Sequence, residues 1–167
     1  MDLYLVRHGL AESRAAYGGG DDPRRRLTED GERRLRAVCH GLGRLGVEVD
    51  AQLSSSYARA WQTAEVLADE LGWPAPEQLD ALAPPVPAAR CLEELVERGE
   101  AALALVGHEP NLSELASLLL AGEERAVSID LRKAGVVCLR LPAAPAPRSA
   151  VLRWCATPKI LRRVGSA

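Results

Sequence analysis

Two short apolar runs constrain this chain more than any other feature. Residues 2–6, DLYLV, and residues 101–108, AALALVGH, are rich in strand formers, and each run gives way at once to a histidine flanked by glycine. An unbroken apolar run of this length suits a strand buried on both faces, where no side chain meets water. The stretches between the runs read as helices, and alternating strands and helices predict an α/β sandwich with a largely parallel sheet.

The helices are legible from their stripes and ends. Thr28 is a good opening residue for a helix whose apolar face is Leu35, Val38, Cys39 and Leu42, with Gly46 as its stop. A strand near Ala51–Ser54 feeds a second helix with Ala60, Ala64, Leu67, Ala68 and Leu71 on one face, ended by Gly72 and Pro74. Residues 73–90 are rich in proline and carry one short strand near Leu79, otherwise loop. A third helix is built on Leu92, Leu95 and Val96. After the second apolar run, Asn111 is expected to cap a fourth helix, with Glu114 three residues on and Leu112, Leu115, Ala116 and Leu119 facing the core. Gly135–Leu141 and Ala150–Trp154 read as closing strands, and residues 1–167 are expected to form a single domain without repeats.

Composition narrows the class of function. The formal net charge is -2, which gives no global reason for a nucleic-acid or anionic-membrane partner. No apolar run approaches the roughly 18 residues of a membrane span, and the start MDLYLVRHG has no basic segment before its apolar run, so the expected location is the cytoplasm. Cys39, Cys91, Cys138 and Cys155 are scattered, with no CxxC and no clustering with histidine, so they read as reduced, mostly buried residues with no zinc site.

Ligands of open α/β sheets bind outside the carboxyl ends of the strands. Arg7-His8-Gly9 and Gly107-His108 fall at two such ends, whereas His40 lies within a helix among polar neighbours and reads as structural. Arg59 opens the second helix, where unpaired N–H groups add positive potential. Arginine presents a planar, permanently charged fork that matches phosphate oxygens. The combination points to a phosphate pocket made of Arg7, His8, Arg59 and His108.

These residues resemble the motifs of the histidine phosphatase superfamily, with its phosphoglycerate mutase-like fold. LVRHG at 5–9 is similar to the nucleophile motif, SSSYARAWQTAE at 54–65 to the SSPxxRAxQTAE segment, and VGHEPNL at 106–112 to the element with the second histidine. RRRLTEDG at 24–31 resembles the RPLTxxG segment and maps a phosphate-binding arginine onto Arg25, with Arg24 and Arg26 as alternatives. Ser56 and Arg26 stand where that pattern has proline.

The resemblance implies a three-layer α/β/α sandwich with a mixed, mostly parallel six-stranded sheet, in which the strands ending at His8 and His108 are neighbours. It also implies a metal-independent phosphatase without cofactor, in which His8 takes the phosphoryl group while Arg7, Arg59 and His108 stabilise its charge. Gly9, Arg25 and Glu109 would contribute to substrate binding. Asp80 and Glu109 are the carboxylates considered for a general acid, and neither is singled out. The small size, RHGLAE with Glu12, and GHEPNLSEL look most like the SixA-type phosphohistidine phosphatases, which implies a phosphorylated protein as substrate. A phosphatase of small phosphomonoesters or nucleotides is one rival reading, and a non-catalytic phosphate-binding module is another.

Overall fold

The computed structural model describes residues 1–20 and 22–166. Its sheet has six strands: β1 (Asp2–Arg7), β2 (Ala51–Ser54), β3 (Glu77–Gln78), β4 (Ala102–Gly107), β5 (Val136–Arg140) and β6 (Val151–Ala156). Their order is β3-β2-β4-β1-β5-β6. The pairs from β3 to β1 are parallel, while β1–β5 and β5–β6 are antiparallel. The sheet is therefore mixed and mostly parallel, as expected.

The helices are α1 (Glu29–Arg44), α2 (Ala58–Leu71), α3 (Ala88–Val96), α4 (Asn111–Ala121) and α5 (Pro158–Ser166). Strand alternation sends β1 side chains to two cores. Leu3 and Leu5 pack with Leu92 and Leu95 of α3 and Leu112 and Leu115 of α4. Tyr4 and Val6 face the other way, against Leu35 and Leu42 of α1, Leu67 of α2 and Leu161 of α5. Three layers result, and burial on both faces explains why β4 and the interior of β1, residues 3–6, are apolar.

α1 begins where Thr28 Oγ1 accepts from Gly31 N at 3.0 Å, and Glu29, Asp30 and Glu32 in its first turn complement the helix dipole. Gly72, at φ +68°, closes α2 in the left-handed conformation that glycine adopts without a Cβ clash.

Two local expectations are corrected, at Asn111 and at Val96. Asn111 is not the cap of α4: it is already helical, and its side chain donates to Val86 O at 2.8 Å. Glu109 supplies the capping contacts instead, accepting from Ser113 N at 3.2 Å and Ser113 Oγ at 2.6 Å. Val96 is exposed, because α3 buries Ala88, Cys91, Leu92 and Leu95. Cys155 is exposed on β6, while the other three cysteines are buried. α5 has no counterpart in the sequence reading; it is short and buries only Leu161.

Candidate active site

The parallel register of β1 and β4 pairs Arg7 with Gly107, and His8 N continues the ladder to Gly107 O at 3.0 Å. The next residues on the two strands are His8 and His108, so residues a hundred positions apart stand side by side with ring centroids 5.1 Å apart. Both are buried.

His8 is held at one ring nitrogen. Its Nδ1 lies 2.7 Å from Gly9 O, a geometry that places the proton on Nδ1 and leaves the lone pair on Nε2. Arg59 Nε donates to that Nε2 at 3.3 Å. Burial foremost, then the neighbouring His108 and the guanidiniums of Arg59 and Arg7, push the His8 pKa down to about 2 against the opposing pull of the Gly9 carbonyl. The imidazole is therefore neutral at physiological pH, as a nucleophile needs.

The second segment around Ser54–Glu65 organises the rest. Arg59 is buried on the first turn of α2, lies over the Tyr57 ring at 5.0 Å and donates from Nη1 to Asp22 O at 3.3 Å. Ser55 Oγ is 2.9 Å from His108 Nε2, and Tyr57 packs edge-on against the same ring. Thr63 Oγ1 accepts from Gly9 N at 3.0 Å and donates to Arg59 O at 2.6 Å. One threonine thus ties the loop after His8 to the helix of Arg59.

His8, Arg59 and His108 line a cleft of about 470 Å³ that is also lined by Arg7, Glu12, Arg14, Arg25, Glu109 and Lys133. Arg7 Nη1 donates to Leu131 O at 2.8 Å, and burial pulls its pKa below the usual guanidinium value. Of the three consecutive arginines, Arg25 is the buried one and lines the cleft, with Nη1 donating to Glu12 O at 2.8 Å. Arg24 is exposed and pairs with Asp22, and Arg26 is exposed as well.

The two carboxylates considered as acids are separated by the structure. Asp80 is exposed, accepts from Gln78 Nε2 at 2.7 Å and lines a different cleft. Glu109 lines the cleft of His8, and burial raises its pKa against the lowering effect of Ser113 and Arg7. Glu12 faces the same cleft but is held ionised by hydrogen bonds from Arg26 N and the Tyr17 hydroxyl. Arg14 and Lys133 carried no motif that marked them. Lys133 lies just before β5, where only the sheet order brings it beside β1. Among the described residues no three His, Cys, Asp or Glu side chains are grouped as a metal site.

Comparison with known proteins agrees with this geometry. Residues 3–83 match the model of the histidine phosphatase superfamily (branch 1). An uncharacterized protein of Picosynechococcus is 43% identical over 149 residues, covering 86% of this chain and 87% of the relative. Phosphohistidine phosphatase SixA of Escherichia coli is 31% identical over 127 residues, covering 74% of this chain and 76% of SixA. The solved structure of the protein histidine phosphatase SixA complexed with tungstate superposes with a TM-score of 0.80 at 26% identity, covering 95% of this chain and 98% of that one. Phosphatases of small molecules share the fold at under a fifth identity. The sheet order, the two histidines at adjacent strand ends and these relatives lead to one statement: the chain is a phosphatase of the histidine phosphatase superfamily.

Proposed function

We propose that the protein removes phosphate from phosphohistidine on other proteins through a covalent intermediate on His8. The observation that carries this reading is a neutral imidazole fixed at Nδ1 by Gly9 O, with Nε2 turned towards Arg59 in a cleft of cationic side chains.

In the first step the Nε2 lone pair of His8 attacks phosphorus in line. The new N–P bond forms as the substrate's P–N bond breaks, and its electron pair leaves with an imidazole that protonation has made a good leaving group. Arg59 exchanges its contact with Nε2 for the phosphoryl oxygens. Arg7, Arg25 and His108 share the equatorial charge, in a role worth several kcal/mol per preorganised donor, about 3 kcal/mol in well-studied cases. Water then attacks phosphorus, phosphate departs and His8 regains its lone pair.

The likeness to SixA supports a protein substrate. So does the segment between α2 and β4, which contains only β3, a 3-10 turn at Asp80–Leu82 and α3, so that no long insertion roofs the cleft. One observation favours a second reading. Glu109, half-buried with a raised pKa, could protonate the alkoxide of a small phosphomonoester.

Acid and base quenching during turnover tests the mechanism. A phosphoenzyme that is acid-labile and base-stable is expected, and His8→Ala should lose activity by about three orders of magnitude or more. Full activity in His8→Ala would remove the mechanism. The substrate is tested by kcat/KM for a phosphohistidine peptide against sugar and aryl phosphates. A tenfold advantage for a sugar phosphate would replace the first reading with the second.

A further inference from the structure

A second cleft of about 450 Å³ opens beside the first and shares Arg7, Leu10 and Lys133 with it. Its other walls include Arg34 of α1, Arg132 before β5 and Arg162 of α5. Of its nine lining residues five are cationic and none is a carboxylate. The chain carries a formal net charge of -2, so this concentration does not reflect a generally basic protein.

The cleft owes its shape to close helix packing. A Cβ on Gly41 would stand 2.0 Å from Leu161 O, and one on Gly31 would stand 2.0 Å from Leu10 O. Glycine at these positions lets α1 approach the backbone of α5 and of the loop after β1. Arg34 and Arg162 are thereby brought to one trough.

Arg34, Arg132 and Arg162 do not line the cleft of His8, so the transferred phosphoryl group has no use for them. Their chemistry is visible in the pairs they make. Arg34 holds the partly exposed Asp30 at 2.7 Å and Arg132 holds Asp130 at 2.7 Å, with both arginines open to solvent. Such pairs are weak and exchange readily for another carboxylate. Among the described residues Lys133 and Arg162 have no ion-pair partner. Burial, and after it the positive charges of Arg7, Arg25, Arg14 and Arg59, lower the pKa of Lys133, which reports a positive field across both clefts.

We propose that this second cleft docks acidic side chains flanking the phosphorylated residue of a protein substrate. The inference rests on the reading that the phosphoryl group is carried by a polypeptide. A trough of separated cations on three elements suits several carboxylates along a chain better than one compact phosphate, which needs donors converging on a point. Its continuity with the cleft of His8 fixes the order, with the phosphoryl group over His8 and the acidic positions across Lys133.

Two synthetic phosphohistidine peptides of equal length test it, one with four flanking aspartates and one with four flanking serines, with 4-nitrophenyl phosphate as reference. At low salt the acidic peptide should have about tenfold the kcat/KM of the neutral one, and 1 M salt should abolish the difference. Arg132→Ala/Arg162→Ala should bring the two peptides to parity. Arg163→Ala, an exposed position of α5 outside the cleft, should keep the preference. Equal turnover of the peptides by the native protein, or a preference that survives the double variant, overturns the proposal. So would faster turnover of a small bisphosphate than of the acidic peptide with the same dependence on Arg132 and Arg162. Should both peptides fall below 4-nitrophenyl phosphate, the phosphohistidine reading fails, and the ratio between the peptides still decides the cleft.

Discussion

Thr63→Val removes one oxygen and tests how the site is held together. Thr63 is fully buried, and its Oγ1 is the acceptor for Gly9 N and a donor to Arg59 O. Valine matches its shape but leaves the Gly9 N–H buried without an acceptor, at a cost of about 1–3 kcal/mol. The Arg59 carbonyl keeps its helical role and adds little. A loss of ~2 kcal/mol corresponds to a fall in Tm of about 4–8 °C for a chain of this size. Activity should suffer beyond stability, because Gly9 O fixes His8 Nδ1 at 2.7 Å. Turning the His8–Gly9 peptide to rescue that N–H shifts the backbone that carries both the imidazole and the Gly9 carbonyl, which misaims Nε2, and a misplacement of ~1 Å costs up to about a hundredfold in rate. Urea unfolding and kcat on a phosphohistidine peptide, measured where the variant is fully folded, give the two effects separately. Thr63→Ser keeps the hydroxyl and should retain most of both. If Thr63→Val stays within about 0.5 kcal/mol and twofold in kcat of the native protein, the hydroxyl is not the link between loop and helix.

Burial holds His8 neutral, with a pKa of about 2 against an ordinary value of 6.5. The unfolded chain therefore binds a proton there that the folded chain does not, and the associated stability is fully present above pH 6.5 and is lost as pH falls towards 2. Between pH 7.5 and pH 5 this amounts to at most ~2 kcal/mol, and His8→Asn should reduce the measured pH dependence of unfolding by that amount; an unchanged slope would contradict a neutral buried His8. Gly41→Ala should destabilise by about 1–3 kcal/mol through overpacking, because its methyl meets Leu161 O at 2.0 Å. Gly43→Ala on the same helix meets only Leu71 Cδ2 at 3.5 Å, so the gain in helix propensity should dominate there, and equal behaviour of the two variants in urea would refute the close approach of α1 and α5.

The elements that carry His8, Arg59 and His108 were legible because their signals are local. An apolar run ending in Arg7-His8-Gly9, another ending in Gly107-His108, and Arg59 at the start of an apolar-faced helix are each contained within about ten residues, the scale on which hydrophobic periodicity operates. The cap of α4 was misread because Asn111 and Glu109 compete for one role within three residues, and tertiary contact with Val86 decided it. The sequence pointed to Arg25 with Arg24 and Arg26 as alternatives; of the three only Arg25 is buried, with its side chain turned inward to Glu12 O.

What the sequence by itself determined was the set of candidate site residues and the strands and helix that bear them, because strand and helix formation depend on neighbouring residues. Only the tertiary structure decided which distant groups share a cleft. His8 meets His108 through the register of parallel strands, Thr63 reaches Gly9 across 54 positions, Lys133 arrives beside Arg7 because β5 pairs with β1, and Arg162 arrives because Gly41 admits α5 against α1. Separation from Asp80 follows from the same cause. Pairing register and helix packing are properties of the assembled chain, and no local pattern encodes the distances between residues that meet only after folding.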